Sequence, residues 1–296
     1  MGTYFKYGLL IIVLLLLSGC DSYKQDSFKP EYSVTAYLAA NDEMPQIRLT
    51  QTTPAKNDGT TSATDVSDAH ITVSEVGSNG SVISSVLYQY GGGNTYKPAS
   101  AQTVTPGATY QLNIDIPSTN HQMQAECIIP GSFHVKTADS APAKYQQTNG
   151  IKLLSTPSSY PGREGYYVIA ALSQQSDTAN LTPYYANKVA TESYTPTSSL
   201  MKISSQIFNA GDFQKDSNGN LIMTVPWEIF AFYGENQLVV YALDDNTYDY
   251  LRSLDVQYSS TQVTPGQLYN LIYHVQGGIG LFGGIATDTV TVTITR

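Results

Sequence analysis

The sequence predicts an all-β protein, and three features of the chain support that prediction. Apolar and polar residues alternate in many short stretches, such as 33–38, 70–74, 111–116 and 289–294. Clusters of Gly, Asn, Asp and Pro separate these stretches, as at 77–80 and 216–220. Alternation of this kind is typical of strands with one buried and one solvated face. Short strands at such spacing predict antiparallel β-sandwich or open-barrel domains, one or two in number.

Two segments depart from the alternating pattern. A single short helix is expected near residues 245–256, because Asp244 or Asp245 can cap it and Tyr248 and Leu251 follow at helical spacing. The glycine-rich run 277–284 is expected to bend tightly between two strands while Phe282 packs inward.

The N-terminus is predicted to be a lipoprotein signal peptide. Lys6 is followed by nine unbroken apolar residues at 9–17, which is too short a stretch to span a bilayer. The run ends in Leu17-Ser18-Gly19-Cys20, the pattern of a lipobox. We therefore expect cleavage after residue 19 and acylation of Cys20, because several acyl chains on one residue anchor a protein stably.

The predicted organisation has four parts. Residues 1–19 are the signal peptide, 20–30 a flexible tether, 31–131 an N-terminal β-sandwich-like domain and 132–296 a C-terminal β-rich domain. Loss of the signal leaves 14 basic against 24 acidic side chains. Nucleic acid is therefore not expected as a partner, because phosphate binding needs a basic footprint. Cys127 then lacks a disulfide partner and is expected to be a small core residue.

No catalytic constellation stands out in the chain. Ser199 and Lys202 match an S-x-x-K pattern, but the companion elements of that chemistry are absent from the sequence. Asp244, Asp245 and Asp249 form the densest acidic cluster, which a helix N-terminus attracts for its dipole alone. The four histidines show no metal-ligand spacing. We expect no enzyme activity, no metal and no cofactor other than the acyl chains on Cys20.

Tyrosine is abundant, with 23 residues. A tyrosine offers a flat apolar face and a polar tip, which suits both cross-strand pairing and ligand binding. The adjacent pairs Tyr166-Tyr167 and Tyr184-Tyr185 are candidates for a binding surface.

The lipobox and the order of the strand-like segments resemble a Bacteroidetes outer-membrane lipoprotein family of unknown function, DUF4249. The segments that carry the resemblance are 32–38, 47–52, 66–73, 106–112, 128–130, 249–251 and 277–284. The resemblance implies an outer-membrane lipoprotein, often encoded near TonB-dependent transporters, and it implies no catalytic residues. Three triplets also resemble that phylum's O-glycosylation signal, with Ser140, Thr178 and Thr289 as the acceptors.

The leading hypothesis is a lipid-anchored envelope protein that acts as a binding or accessory subunit, associated with an outer-membrane transporter. Two alternatives stay open. One is a surface hydrolase that uses Ser199 and Lys202 or the Asp244 cluster, and the other is a structural or adhesive cell-surface protein. The sequence does not decide between the periplasmic and the surface-exposed face of the membrane.

Overall fold

A computed structural model describes residues 28–54, 63–138, 142–191, 196–259 and 270–296. Within these ranges the chain forms nineteen strands and two α-helices, which confirms the all-β prediction. Neither helix of the described ranges is both long and apolar enough to cross a membrane.

The N-terminal part of the chain contributes eight strands. They are β1 (Tyr32–Ala39), β2 (Ile47–Thr52), β3 (Ala63–Asp65), β4 (His70–Val76), β5 (Val82–Gly92), β6 (Thr95–Pro98), β7 (Thr109–Ile116) and β8 (His121–Ile128).

The C-terminal part contributes the other strands and both helices. They are β9 (Val135–Thr137), β10 (Ala143–Lys144), β11 (Ile151–Ser155), β12 (Tyr166–Ser173), α1 (Pro183–Thr191), β13 (Lys202–Ser204), β14 (Phe208–Asn209), β15 (Gln214–Lys215), β16 (Leu221–Val225), β17 (Gly234–Leu243), α2 (Asp245–Ser259), β18 (Val275–Gln276) and β19 (Ile279–Thr295).

Fifteen of these strands form one large sheet in the order β13-β12-β17-β19-β1-β2-β6-β5-β4-β7-β8-β18, with β3, β10 and β14 added at its sides. A smaller sheet has the order β15-β16-β11-β9. The long strand β19 joins the two parts of the large sheet, because its first half pairs with β1 and its second half with β17.

The pairing of β1 with β19 is parallel, so the sheet is mixed, although most of its strand pairs are antiparallel as predicted. Hairpins impose antiparallel pairing on strands that follow one another closely. These two strands come from opposite ends of the chain, and no hairpin constrains their direction.

Alternation along the strands produces the core. In β1, Val34, Ala36 and Leu38 are buried while their neighbours point outward. The largest cluster of buried apolar residues draws on both sides of residue 131. The large sheet is likewise continuous across that position, and the predicted two-domain division stays a prediction.

The glycine-rich run bends between two strands only at its start, where residues 277–278 connect β18 to β19. Gly277 has a φ of +73° and Gly278 follows it in the turn, whereas Gly280, Gly283 and Gly284 lie inside β19. A Cβ at Gly280 would overlap the carbonyl oxygen of Val34, and one at Gly283 would overlap Thr247 Oγ1. Glycine is required here because other parts of the chain approach the strand closely from both sides. Phe282 is buried, as predicted.

The helix predicted near 245–256 is confirmed as α2. Asp244 caps it, since the backbone N–H of Thr247 donates to Asp244 Oδ1 at 2.7 Å. The sequence prediction of a single helix was wrong, because α1 also forms. Its first residue, Pro183, has the fixed φ that suits the first helical position.

Candidate functional site

Helix α2 packs on the glycine-rich half of β19 and separates two depressions of the surface. Its first turn is held to the sheet by Asn246, whose Nδ2 donates to the carbonyl oxygens of Glu126 (2.6 Å) and Phe282 (2.8 Å). These carbonyls belong to β8 and β19, so one side chain joins the helix to both strands. The helix is therefore a fixed wall shared by two neighbouring concave surfaces.

We call the larger depression the tyrosine groove. It has a volume of about 820 Å³, within the usual range of small-molecule sites. It lies between α2, the outward face of the sheet and the segment 204–207. Its lining residues are Tyr37, Val168, Lys202, Ser204, Ser205, Gln206, Ile207, Tyr241, Leu243, Thr247, Tyr248, Leu251, Arg252, Asp255 and Ile285.

The floor of the tyrosine groove is apolar. Val168 of β12 pairs with Tyr241 of β17, and Leu243 of β17 pairs with Ile285 of β19, so their side chains share one face of the sheet. Two cations stand above this floor. Lys202 Nζ lies 5.8 Å from the centre of the Tyr241 ring, and the Arg252 guanidinium lies 6.0 Å from the Tyr248 ring.

An aromatic and cationic stack supports the helical wall of the groove. The Arg163 guanidinium lies 3.8 Å from the Tyr160 ring centre and 4.1 Å from that of Tyr166. Tyr166 stacks in turn on Tyr248, with 3.8 Å between ring centres. Arg163 Nε also donates to Asp245 Oδ1 at 2.6 Å. The stack thus fixes the start of α2 and the orientation of Tyr248.

A buried carboxyl lies beneath the start of α2. Asp244 is almost fully buried, and burial raises its pKa to about 6, although hydrogen bonds from Thr247 act in the opposite direction. Its Oδ2 has no hydrogen-bond partner among the described residues. Because the carboxyl is enclosed, its protonation or ionisation changes the stability of the folded protein.

We call the second depression the amide pocket. It has a volume of about 610 Å³ and lies on the other side of α2, against β7, β8 and β18. Its lining residues are Gln111, Leu112, Asn113, Gln124, Ala125, Glu126, Asn246, Tyr273, His274, Val275 and Gln276. Five of the eleven lining residues carry side-chain amides, and neither Lys nor Arg is among the described residues that line it.

One wall of the amide pocket is formed by residues 273–274. His274 Nε2 lies 2.8 Å from Asp249 Oδ2 of α2, which ties this wall to the helix. Burial raises the pKa of the Tyr273 hydroxyl, so the ring is neutral at ordinary pH. Across the described part of the chain, no group of three His, Cys, Asp or Glu side chains is placed to hold a metal ion.

The residues that the hydrolase alternative would use lie apart from one another. Ser199 Oγ donates to the carbonyl oxygen of Pro196 at 2.7 Å, and Lys202 points toward Tyr241 in the groove. Of the acidic cluster, Asp244 is buried, Asp245 pairs with Arg163 and Asp249 with His274. Each group is thus engaged in a separate contact, and the structure does not bring them around one cavity.

In each of the two tyrosine pairs, one member is buried and the other is more exposed. Tyr167 is fully buried, and Tyr185 is buried with its hydroxyl donating to the carbonyl oxygen of Glu228. Tyr166 belongs to the Arg163 stack, whereas Tyr184 is half-exposed on α1. Adjacent residues in a strand point to opposite faces, which explains why one member of the first pair is buried.

The predicted modification sites fall partly outside the described residues. Cys20 and Ser140 lie there, as do the signal peptide and most of the tether. Thr178 and Thr289 are exposed, on a 3-10 turn and on β19 respectively. Cys127 is buried and free, and burial raises the pKa of its thiol, which confirms its expected place in the core.

Sequence reasoning missed most of the groove residues, including Tyr37, Tyr241 and Arg252. One signal was present in the sequence of residues 237–243, which belong to β17. Both of its faces are apolar, with Leu238 and Val240 on one and Val239 and Tyr241 on the other. A strand with two apolar faces is expected to be covered on both.

The fold and these two depressions define a class: an all-β protein with ligand-sized concave sites on the outward faces of its main sheet. The chain belongs to the family described as domain of unknown function DUF4249, whose model matches residues 21–291. No curated protein matches the chain in sequence.

Solved structures show only remote likeness. Trypsin-activated α2-macroglobulin from Escherichia coli matches with a TM-score of 0.21 and 9% identity, over 74% of this chain and 15% of that one. The elastase-activated form matches with a TM-score of 0.24 and 10% identity, over 90% and 23%. The three N-terminal domains of the bacteriophage RB49 outer capsid protein Hoc give 0.21 and 10%, over 90% and 69%. This chain therefore spans less than a quarter of the α2-macroglobulin chains.

Proposed function

We propose that this protein is a non-catalytic binding protein of the bacterial cell envelope, anchored in the outer membrane by acyl chains on Cys20. The lipobox at residues 17–20 supports the anchor, and the resemblance to Bacteroidetes lipoproteins supports the location. The tyrosine groove supports the binding role, and it is the observation on which the proposal rests.

The lining of the groove favours one class of ligand, an amphipathic molecule with an apolar body and an anionic head. The floor of Val168, Tyr241 and Ile285 suits the apolar body, because burying apolar surface contributes roughly 25 cal/mol per Å². Lys202 and Arg252 outnumber Asp255, a carboxylate that also lines the groove, and so offer net positive charge to the anionic head. These cations belong to a chain with a net charge of −9, which makes their placement at one groove distinctive.

The binding claim is tested with ligands that differ only in charge. Decanoate, decanol and decylamine share one apolar chain, and their binding to the purified full chain can be compared by calorimetry. We expect decanoate to bind most tightly. The double variant Lys202→Ala/Arg252→Ala should weaken decanoate binding about tenfold or more, and Lys97→Ala, which removes an exposed cation of β6 that does not line the groove, should leave it unchanged. Equal binding of all three compounds, or none, contradicts the proposal.

The anchor is tested separately at Cys20. Cells grown with a clickable palmitate analogue should label the wild-type protein and leave Cys20→Ala unlabelled, and the variant should leave the membrane fraction. Protease treatment of intact cells then distinguishes the surface from the periplasmic face. Labelling that persists in Cys20→Ala would overturn the lipobox assignment.

We propose that the partner of this protein is a TonB-dependent transporter. Cross-linked membranes, solubilised and purified through a C-terminal tag, should yield such a transporter in stoichiometric amount. A Cys20→Ala strain is the matched control, because a released protein loses its high local concentration at the membrane. Recovery without any transporter would remove the partner and leave the ligand-binding proposal intact.

A further inference from the structure

We propose that the amide pocket is a second binding site and that it takes a neutral saccharide. The site is separate from the tyrosine groove, since α2 lies between them and no residue lines both. The inference rests on the register of three strands, on the hydrogen-bonding capacity of their side chains and on the charge of the lining.

Strand register arranges the amides of the pocket in rows. Asn113 of β7 pairs with Gln124 of β8, and Gln124 pairs with Gln276 of β18. Gln111 and Glu126 form the adjacent pair. Paired residues project from the same face, and neighbouring strands lie about 4.8 Å apart. The rows therefore present polar groups at a spacing comparable to the width of a pyranose ring.

The hydrogen-bonding capacity of these rows is largely unused. Gln111 Nε2 donates to Glu126 Oε2 at 2.9 Å, which fixes that carboxylate. The side chains of Asn113, Gln124 and Gln276 make no hydrogen bond to another residue of the described ranges. A side-chain amide offers two donors and one acceptor, so each can bond to a pair of adjacent hydroxyl groups.

The rest of the pocket is rigid and suits a sugar ring. Asn246 uses both Nδ2 hydrogens on the sheet, so it contributes a fixed wall, and His274 is held by Asp249. Tyr273 supplies an aromatic ring that is half-buried and neutral. An aromatic surface beside polar groups matches a saccharide, which has apolar C–H faces and hydroxyl edges.

The charge of the lining argues against other ligands. A phosphate or other anion would lie near the Glu126 carboxylate without a lysine or arginine from any described lining residue. An apolar ligand would bury the unpaired amides without partners, which costs about 1 to 3 kcal/mol for each group. A neutral ligand rich in hydroxyl groups avoids charge repulsion with Glu126 and supplies hydrogen-bond partners to the amides.

The test uses the full chain in a zwitterionic detergent without a sugar headgroup. Maltohexaose, cellohexaose, xylohexaose and mannohexaose are titrated one at a time, with side-chain amide signals followed by NMR. We expect at least one of them to bind with a Kd below about 1 mM, equivalent to about 4 kcal/mol, and to shift side-chain amide signals. Those signals should be lost in Asn113→Ala/Gln124→Ala.

The matched control is Gln122→Ala, which removes an exposed amide from the same strand outside the pocket. The double variant should weaken saccharide binding at least tenfold, whereas the control should bind as the wild type does. Failure of all four saccharides to bind, or equal binding by the double variant and the control, overturns the proposal. Decanoate binding by both variants shows that the fold and the tyrosine groove are intact.

Discussion

The tyrosine groove and the amide pocket flank the same helix and have opposite chemistry. The floor of the groove comes from β12, β17 and β19, whose outward positions carry Val168, Tyr241 and Ile285. The floor of the pocket comes from strands whose outward positions carry amides such as Asn113 and Gln124. Inward positions of both parts are mostly apolar, with a few buried polar residues such as Asn236 of β17. The core constrains one face of each strand, and the outward face is where the two regions diverge.

Helix α2 presents a different surface to each side. Leu251 and Arg252 follow Tyr248 by three and four residues, and together with Asp255 these residues face the groove. Asn246 faces the pocket. One helix can therefore hold two unlike sites at a fixed distance. Variants that change the helix or its support test whether the two depressions depend on it equally.

The largest effect is expected from Gly283→Ala. The new Cβ would overlap Thr247 Oγ1 and lie 3.3 Å from Asp244 Oδ1, so α2 must move away from β19. Overpacking of this kind costs about 3 kcal/mol, and we expect the free energy of unfolding in urea to fall by that amount. Binding at both sites should also weaken. In Gly91→Ala the Cβ meets only the flexible Lys97 side chain, and stability should stay within about 0.5 kcal/mol of the wild type. Wild-type stability in Gly283→Ala would show that α2 is not held closely.

The second effect concerns pH. The pKa of Asp244 is about 6 in the folded protein against an ordinary value of 3.8, so folding favours the protonated form. Its ionisation therefore destabilises the fold above pH 6, and the penalty is relieved as the pH falls from about 7 toward 4. Between pH 7.5 and 4.5 the wild type should gain about 2 kcal/mol of unfolding free energy relative to Asp244→Asn.

Thermal and urea unfolding across this pH range measure the difference. Asp212→Asn, a change at an exposed carboxyl, should follow the wild-type pH profile. Parallel profiles for the wild type and Asp244→Asn would contradict the shifted pKa.

Asn246→Ala should act mainly on the amide pocket. It removes both hydrogen bonds to the carbonyl oxygens of Glu126 and Phe282, and the loss should lower the unfolding free energy by about 1.5 kcal/mol. Saccharide affinity should fall more than decanoate affinity, because the pocket loses part of its wall. Equal losses at both sites would mean that the helix moves as a whole.

Arg163→Lys should act mainly on the tyrosine groove, with the smallest effect. Lysine keeps the charge and loses the planar group between Tyr160 and Tyr166, which costs about 1 kcal/mol. Decanoate binding should weaken a few-fold while saccharide binding is unchanged. Lys215→Ala is the control, since its exposed pair with Glu164 contributes little. Weaker saccharide binding in Arg163→Lys would show that the stack supports both sides of the helix.

Several features were accessible from the sequence for local reasons. Alternation at 33–38 and 111–116 predicted strands whose inward residues are buried, such as Val34 and Leu112. Asp244 and the spacing of Tyr248 and Leu251 predicted α2, because capping and helical periodicity are properties of a short segment. Helix α1 was missed because its residues were interpreted as a tyrosine-rich surface.

The sites themselves were not accessible in this way. Lys202, Tyr241 and Arg252 lie on three elements, and only the sheet order brings them to one groove. The run 277–284 was interpreted as a bend because glycine permits turns as well as close approach between chains. Its role in β19 depends on Val34 and Thr247, which are distant in sequence.

The sequence by itself determined the strand pattern, the capped helix, the family and the expected lipid attachment at Cys20. The strand pattern, the capped helix and the lipobox depend on residues that are close together in the chain, and the family depends on the order of segments along it. The tertiary structure alone decided that β1 and β19 pair in parallel, that α2 rests on glycines and that two unlike depressions flank it. The physical reason is that burial and register are set by contacts between distant segments, which local patterns constrain only in part.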